Sequence, residues 1–150
     1  MVTAAPTSRE WLLLLYRIPR EPTAPRVAVW RKLKRLGALL LADAAWVLPA
    51  REATREQFRW LAAEIAEAGG EALVWDARLA LGQEEALVEQ FAAQVEGPYR
   101  GILSELGRDD ADLGALSRRY QQVVVQDYFG SDLGQRVRAA LASARGGADR

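Results

Sequence analysis

Four cations crowd into five positions, Arg31, Lys32, Lys34 and Arg35, within the stretch VAVWRKLKRLG of a 150-residue chain that carries 20 basic and 20 acidic side chains. Fixed positive charge at that density is phosphate-binding chemistry, because contacts to the backbone dominate the affinity of proteins for nucleic acid. The same run would equally serve as the solvated side of an amphipathic helix, or dock on an acidic part of the chain. No helix-turn-helix pattern or RNA-binding aromatic motif accompanies it, so base-specific reading is not expected.

A second group, Arg17, Arg20 and Arg26, brackets a proline-rich connector and the start of the same helix. Forked guanidinium donors beside unpaired helix N–H groups suit an oxyanion. The competing reading is structural, with Arg17 and Arg20 pairing with Glu10 or Glu21. Asp109, Asp110 and Asp112 hint at a calcium loop. Counted from Asp110, however, the fifth and twelfth positions are Gly114 and Gln121, not an oxygen ligand and a glutamate. Helix capping explains that cluster better. Asp43 and Asp76 are expected at a hairpin turn and a strand end. Trp60 falls opposite the apolar side of its helix, and marks either an interface or a site covered by later helices.

The chain has no histidine and no cysteine. Histidine acid–base catalysis, a Ser-His triad, thiolate chemistry and His- or Cys-ligated metal sites are thereby excluded. No catalytic residue, metal or cofactor is expected, and the chain is expected not to be an enzyme. The overall neutrality conceals segregation: residues 1 to 60 carry a balance of +6, residues 61 to 116 of −9, and the remainder of +3. Such asymmetry serves a polyanionic partner or attraction between segments. The opening MVTAAPTSRE has neither a cationic start nor a long apolar run. No signal peptide or membrane span is expected, and the protein is expected in the cytoplasm.

The elements that must position these residues follow from periodicity. WLLLLYRI, Trp11 to Ile18, is apolar on both faces, as in an interior strand covered on both sides. PREPTAP leads into a helix from Pro25 to Leu36, with Thr23 as its cap and Gly37 as its stop. Val29, Trp30, Leu33 and Leu36 share one arc of that helix, opposite the four cations. Ala38–Ala42 and Ala45–Leu48 form a hairpin turning near Asp43 and Ala44. Thr54 and Gln57 make a capping-box pattern for a helix reaching Ala68, with Phe58, Leu61, Ala62 and Ile65 inward. Residues 71 to 77 form a fourth strand. Helices follow over Glu84–Leu106, which Pro98 should kink or split, Leu113–Tyr128 and Leu133–Ala144. Their apolar stripes, including Leu87, Phe91, Val95 and Val124, are expected to pack on the sheet or on a partner chain.

The stretch WLLLLYRIPREPTAPRVAVWRKLKRLGALLLADAAWVLPA resembles the N-terminal domain of the chromate-resistance protein family ChrB. AGGEALVWDA and QDYFGSDLGQRVRAAL are similar to that family too, so the resemblance spans about residues 9 to 144. The strand, proline turn and basic helix also look like the Cas2-like domain of phenylacetate-type repressors. The resemblance implies a role in chromate resistance, as a regulator of an efflux operon. Members of the family generally carry a second, C-terminal domain, and this chain ends where that domain would begin. Cas2-type nucleases place an aspartate at the end of the first strand, where this chain has Tyr16, Arg17 and Ile18.

Together these readings predict an α+β fold, a ferredoxin-like βαββαβ sandwich over residues 9 to 79 with a C-terminal helical extension over 80 to 144. A frayed tail from 145 to 150 completes a single domain. The expected function is a regulatory or sensor domain of the chromate response. Its expected partners are DNA, chromate or another oxyanion, and a second copy of the chain. A protein-interaction or dimerisation module is the first alternative. A metal-dependent nuclease is the second, disfavoured by the missing aspartate.

Overall fold

A central hydrophobic strand organises the first half of the chain. The structure is a computed structural model that describes residues 9–42 and 45–148. Six elements come first: β1 (Glu10–Arg17), α1 (Thr23–Leu36), β2 (Leu39–Leu41), β3 (Ala45–Pro49), α2 (Glu52–Glu67) and β4 (Glu71–Arg78). The sheet order is β2-β3-β1-β4, with every pairing antiparallel. This is the ferredoxin-like split βαββαβ arrangement expected from the sequence. β1 is interior, paired with β3 on one side and with all eight residues of β4 on the other. The turn residues Asp43 and Ala44 lie outside the described residues.

Alternation along β1 sets the layers. Leu12 and Leu14 point to the face covered by α1 and α2, and both are fully buried. Val29 and Leu33 from α1, Leu48 from β3, and Phe58, Leu61 and Ile65 from α2 are buried with them. The opposite face is not closed throughout. Trp11 and Val47 are buried there, but Leu73 and Trp75 of β4 are 59% and 50% exposed. The expected cover on both sides therefore stops short of the β4 edge. Trp11 is anchored by its indole N–H, which donates to Glu84 at 2.7 Å.

Helix boundaries show which local signals operate. α1 begins at Thr23 rather than Pro25, and its cap position is Pro22, which makes no side-chain cap bond. Gly37, at φ 77°, ends it as expected, because glycine alone enters that region without penalty. Thr54 is not the cap of α2 but sits inside its first turn. From there its hydroxyl accepts from the Arg51 N–H at 3.0 Å and donates to the Pro49 carbonyl at 2.6 Å.

The chain divides into two compact units between Glu84 and Glu85, five residues beyond the boundary expected at 79. The second unit is helical: α3 (Glu84–Leu106), α4 (Leu113–Gln126) and α5 (Asp132–Ala148). Pro98 does not split α3, which is continuous. Proline disfavours helical geometry at its predecessor by clashing with that residue's N–H and Cβ, and Gly97 removes the second of these clashes. α5 continues four residues past Ala144, so residues 145 to 148 are helical rather than frayed. Asp112 caps α4 by accepting from the Ala115 N–H at 3.1 Å, the role expected for that acidic cluster.

The apolar stripes of these helices meet one another. Val95, Tyr99 and Ile102 of α3 form one buried cluster with Leu116 of α4 and Val137 and Leu141 of α5. Phe91 packs edge-on against Tyr128 and Phe129. Val124 remains 38% exposed. Tyr99 donates to Asp127 at 2.8 Å, and burial and that acceptor raise its pKa well above the ordinary tyrosine value. Gly134 lies so close that a Cβ there would sit 2.9 Å from the Tyr99 ring.

A candidate anion-binding cleft

The end of β1, the connector and the first turns of α1 enclose an open cleft of about 900 Å³. β1 and its end supply Tyr16, Arg17 and Ile18, the connector Arg20, and β3 Trp46. α1 contributes Thr23, Arg26, Val27, Trp30 and Arg31. Those five recur at intervals of three, one, three and one, which is one side of a 3.6-residue helix. The neighbouring side of α1 carries Val29 and Leu33 into the core. The same helix thus both anchors to the sheet and presents its charges.

Charge in the cleft is one-signed. Arg17 is bonded to Glu71 at 3.0 Å, with both side chains largely exposed, not to Glu10 or Glu21 as the structural reading would have it. Arg20, Arg26 and Arg31 have no carboxylate partner among the described residues. The first turn of α1 holds no acidic residue and its cap forms no side-chain bond, so its leading N–H groups add to the positive field. Aromatic surface lines the same space. Trp30 is 51% exposed, and Tyr16 is partly buried beneath it on the sheet. Burial raises the Tyr16 pKa, while a hydrogen bond from the Trp46 indole and the Arg26 charge oppose the rise. The phenol therefore stays protonated at neutral pH.

The sequence groups Arg17, Arg20 and Arg26 as an anion site, and the structure brings all three to this cleft and adds Arg31. It does not hold the run Arg31, Lys32, Lys34 and Arg35 as one free surface. Arg31 turns to the cleft, whereas Lys32 is bonded to Glu64 of α2 at 2.7 Å. Lys34 lies over the Trp30 ring, 5.9 Å from its centroid. Lys32 and Arg35 line a separate groove of about 610 Å³ between α1 and α2, along with Trp60, which is 69% exposed. Trp30 itself corrects the expectation that it packs inward with Val29 and Leu33. The overlooked signal is the spacing Arg26–Trp30, one helical turn, next to Tyr16 at the end of the strand.

The remaining candidates have structural partners or lie elsewhere. Asp76 accepts from Arg55 at 2.7 Å, and that bond holds its carboxyl below the ordinary carboxylate range. Asp43 lies outside the described residues. Among the described residues no group of three His, Cys, Asp or Glu side chains is placed to hold a metal. No helix among them is long and apolar enough to cross a membrane.

The chemistry available in the cleft is recognition. Guanidinium forks match the oxygens of phosphate or another oxyanion, and the exposed Trp30 ring can stack a planar group. The volume falls within the range of ligand pockets, roughly 300–1,000 Å³, and far exceeds one tetrahedral anion.

Comparison with known proteins places the chain in a family. The family model described as Protein ChrB, N-terminal, matches residues 26–113, which include α1 from Arg26 onward, with the cleft residues Arg26, Val27, Trp30 and Arg31, and all of α2. The curated Protein ChrB of Cupriavidus metallidurans is 34% identical over 130 residues, covering 79% of this chain and 40% of that protein. The chain therefore spans well under half the length of that relative. No solved structure matches it. On the strength of the family match, this chain belongs to the ChrB N-terminal family.

Proposed function

We propose that the chain is a non-enzymatic regulatory domain of the chromate-resistance response, and that its cleft binds the phosphates of DNA. Family membership supports the chromate-resistance role. One observation carries the binding of DNA phosphates: Arg20, Arg26 and Arg31 converge on one cleft with no carboxylate partner among the described residues, beside Trp30 and Tyr16. A structural role would pair them, as Arg17 pairs with Glu71 and Lys32 with Glu64. The binding is electrostatic and tolerant of sequence, because phosphate contacts carry no base information.

A small oxyanion is the second reading, favoured by Arg20 and Arg26 flanking a helix start that has no acidic residue in its first turn. Two titrations separate the readings: chromate into the protein alone, followed by calorimetry, and a displacement experiment on duplex. A labelled duplex is titrated with the protein, and the complex is then challenged with chromate or sulfate at constant ionic strength. DNA binding that neither anion displaces beyond the effect of chloride supports the first reading. Saturable chromate binding with no affinity for duplex supports the second. Loss of neither DNA nor chromate binding on substituting Arg20, Arg26 and Arg31 together refutes both.

A further inference from the structure

We infer that the free edge of β4 pairs with β4 of a second copy, joining two sheets into one antiparallel sheet of eight strands. β4 bonds to β1 along all eight of its residues and, among the described residues, has no neighbour on its other side. An edge of this length is a template for another strand unless charge, proline or a bulge protects it. The centre of β4 has none of these. Leu73, Val74 and Trp75 stand there at 59%, 39% and 50% exposure, with charges confined to Glu71, Asp76 and Arg78. Leu73 and Trp75 lie directly across from Leu15 and Leu13, so the apolar surface continues onto β1. Scattered surface hydrophobes need no explanation, but a contiguous patch on an open edge does.

The identity of the occupant follows from register. Two antiparallel copies in a continuous sheet are related by an axis normal to it, which keeps each side chain on its own face. Only registers centred on a single residue are then allowed. Centring on Val74 sets Leu73 against the partner's Trp75 twice, and Val74 against itself. It sets Glu71 against Ala77 and Asp76 against Ala72, leaving the Asp76–Arg55 bond undisturbed. Centring on Trp75 sets Val74 against Asp76. Centring on Leu73 sets Glu71 against Trp75, and centring on Asp76 opposes two carboxylates. Only the Val74 register pairs the three large apolar side chains with one another and opposes no like charges. The strand is thus complementary to itself. The same axis leaves both copies of α1 on one side of the joined sheet. The inference does not rest on the anion reading, since β4 lends no residue to the cleft.

Because the chain contains no cysteine, a single introduced thiol reports the register directly. In the Val74 register, Val74→Cys places two thiols on directly opposed residues, roughly 4.5–5.5 Å apart at Cα, within disulfide reach. Ala72→Cys places them about 14 Å apart, out of reach. Mild oxidation should therefore convert Val74→Cys to a covalent dimer and leave Ala72→Cys reduced. In sedimentation runs across protein concentration, the unmodified chain should reach twice the monomer mass. Leu73→Lys with Trp75→Lys should remain at the monomer mass, with an unchanged circular dichroism spectrum. A wild-type chain that stays monomeric, a dimer indifferent to the two lysines, or faster cross-linking at Ala72 than at Val74 would overturn the inference.

Discussion

Removing the three cleft arginines, as Arg20→Gln, Arg26→Gln and Arg31→Gln together, should alter the salt dependence of DNA binding by a calculable amount. Each phosphate neutralised on a duplex contributes about 0.9 to the slope of log affinity against log salt. Three contacts contribute about 2.7, so wild type should lose about 40-fold more affinity than the variant between roughly 50 and 200 mM salt. Lys32→Gln is the internal control. Its ammonium is already held by Glu64 at 2.7 Å, so its loss should change the slope by less than one full contact. Exposed substitutions of this kind usually stay within about 0.5 kcal/mol of wild-type stability, so the fold should persist. Fluorescence anisotropy of a labelled duplex at four salt concentrations supplies the slopes. Parallel lines for wild type and the triple variant would show that these arginines do not contact phosphates, as would an equal change from Lys32→Gln alone.

Three further expectations concern the scaffold. Gly70→Ala would drive a Cβ into the Arg17 backbone carbonyl and against Ile65, so a loss at or above the typical overpacking cost of about 1–3 kcal/mol should appear in denaturant unfolding; an unmoved midpoint would contradict the β1–β4 packing. In the helical unit, Tyr99→Phe should cost about 1.5–3 kcal/mol by removing the bond to Asp127, whereas Gly134→Ala should cost about 1–3 kcal/mol in either background, because the ring carbons its Cβ would meet at 2.9 Å are retained in Phe; an unmoved midpoint for Gly134→Ala would contradict that packing. Asp76 is held below the ordinary carboxylate range chiefly by the hydrogen bond from Arg55, with burial opposing and the Arg55 charge assisting. Its stabilising contribution is therefore present above the unfolded-state pKa and lost as pH falls through the lower folded-state value. Asp76→Asn should be less stable than wild type at neutral pH, and the gap should close in strong acid; a gap that is constant across that range would show the carboxylate has no such role.

Much of this molecule is legible from its residues because the strongest signals are local. An octapeptide apolar on both faces implies an interior strand, and β1 is one. The order of strands and helices then leaves few topologies besides the split βαββαβ. The misses arise where a tertiary partner overrides a local pattern. Thr54 has the residue type of a cap but works from inside the first turn, because the Pro49 carbonyl is within its reach. Pro98 stays helical, helped by Gly97 before it. Lys32 is indistinguishable in sequence from Arg31, yet the crossing of α2 brings Glu64 to one and not to the other. Trp30 falls within the apolar arc by angle alone. The place where the arc meets Tyr16 and the strand end is set by the sheet, and no helical wheel contains that information. The exposed β4 edge is likewise invisible until strand order is known, since LVW alone suits a buried strand equally well.

Anion binding is proposed where Arg20, Arg26 and Arg31 converge. Arginine-selective modification with phenylglyoxal, read residue by residue by mass spectrometry with and without duplex DNA, tests it most directly. DNA should slow modification of Arg20, Arg26 and Arg31, while the exposed Arg118 and Arg138 of the helical unit react as before. Equal rates at the three cleft arginines with and without DNA, or protection confined to Arg118 and Arg138, would contradict it.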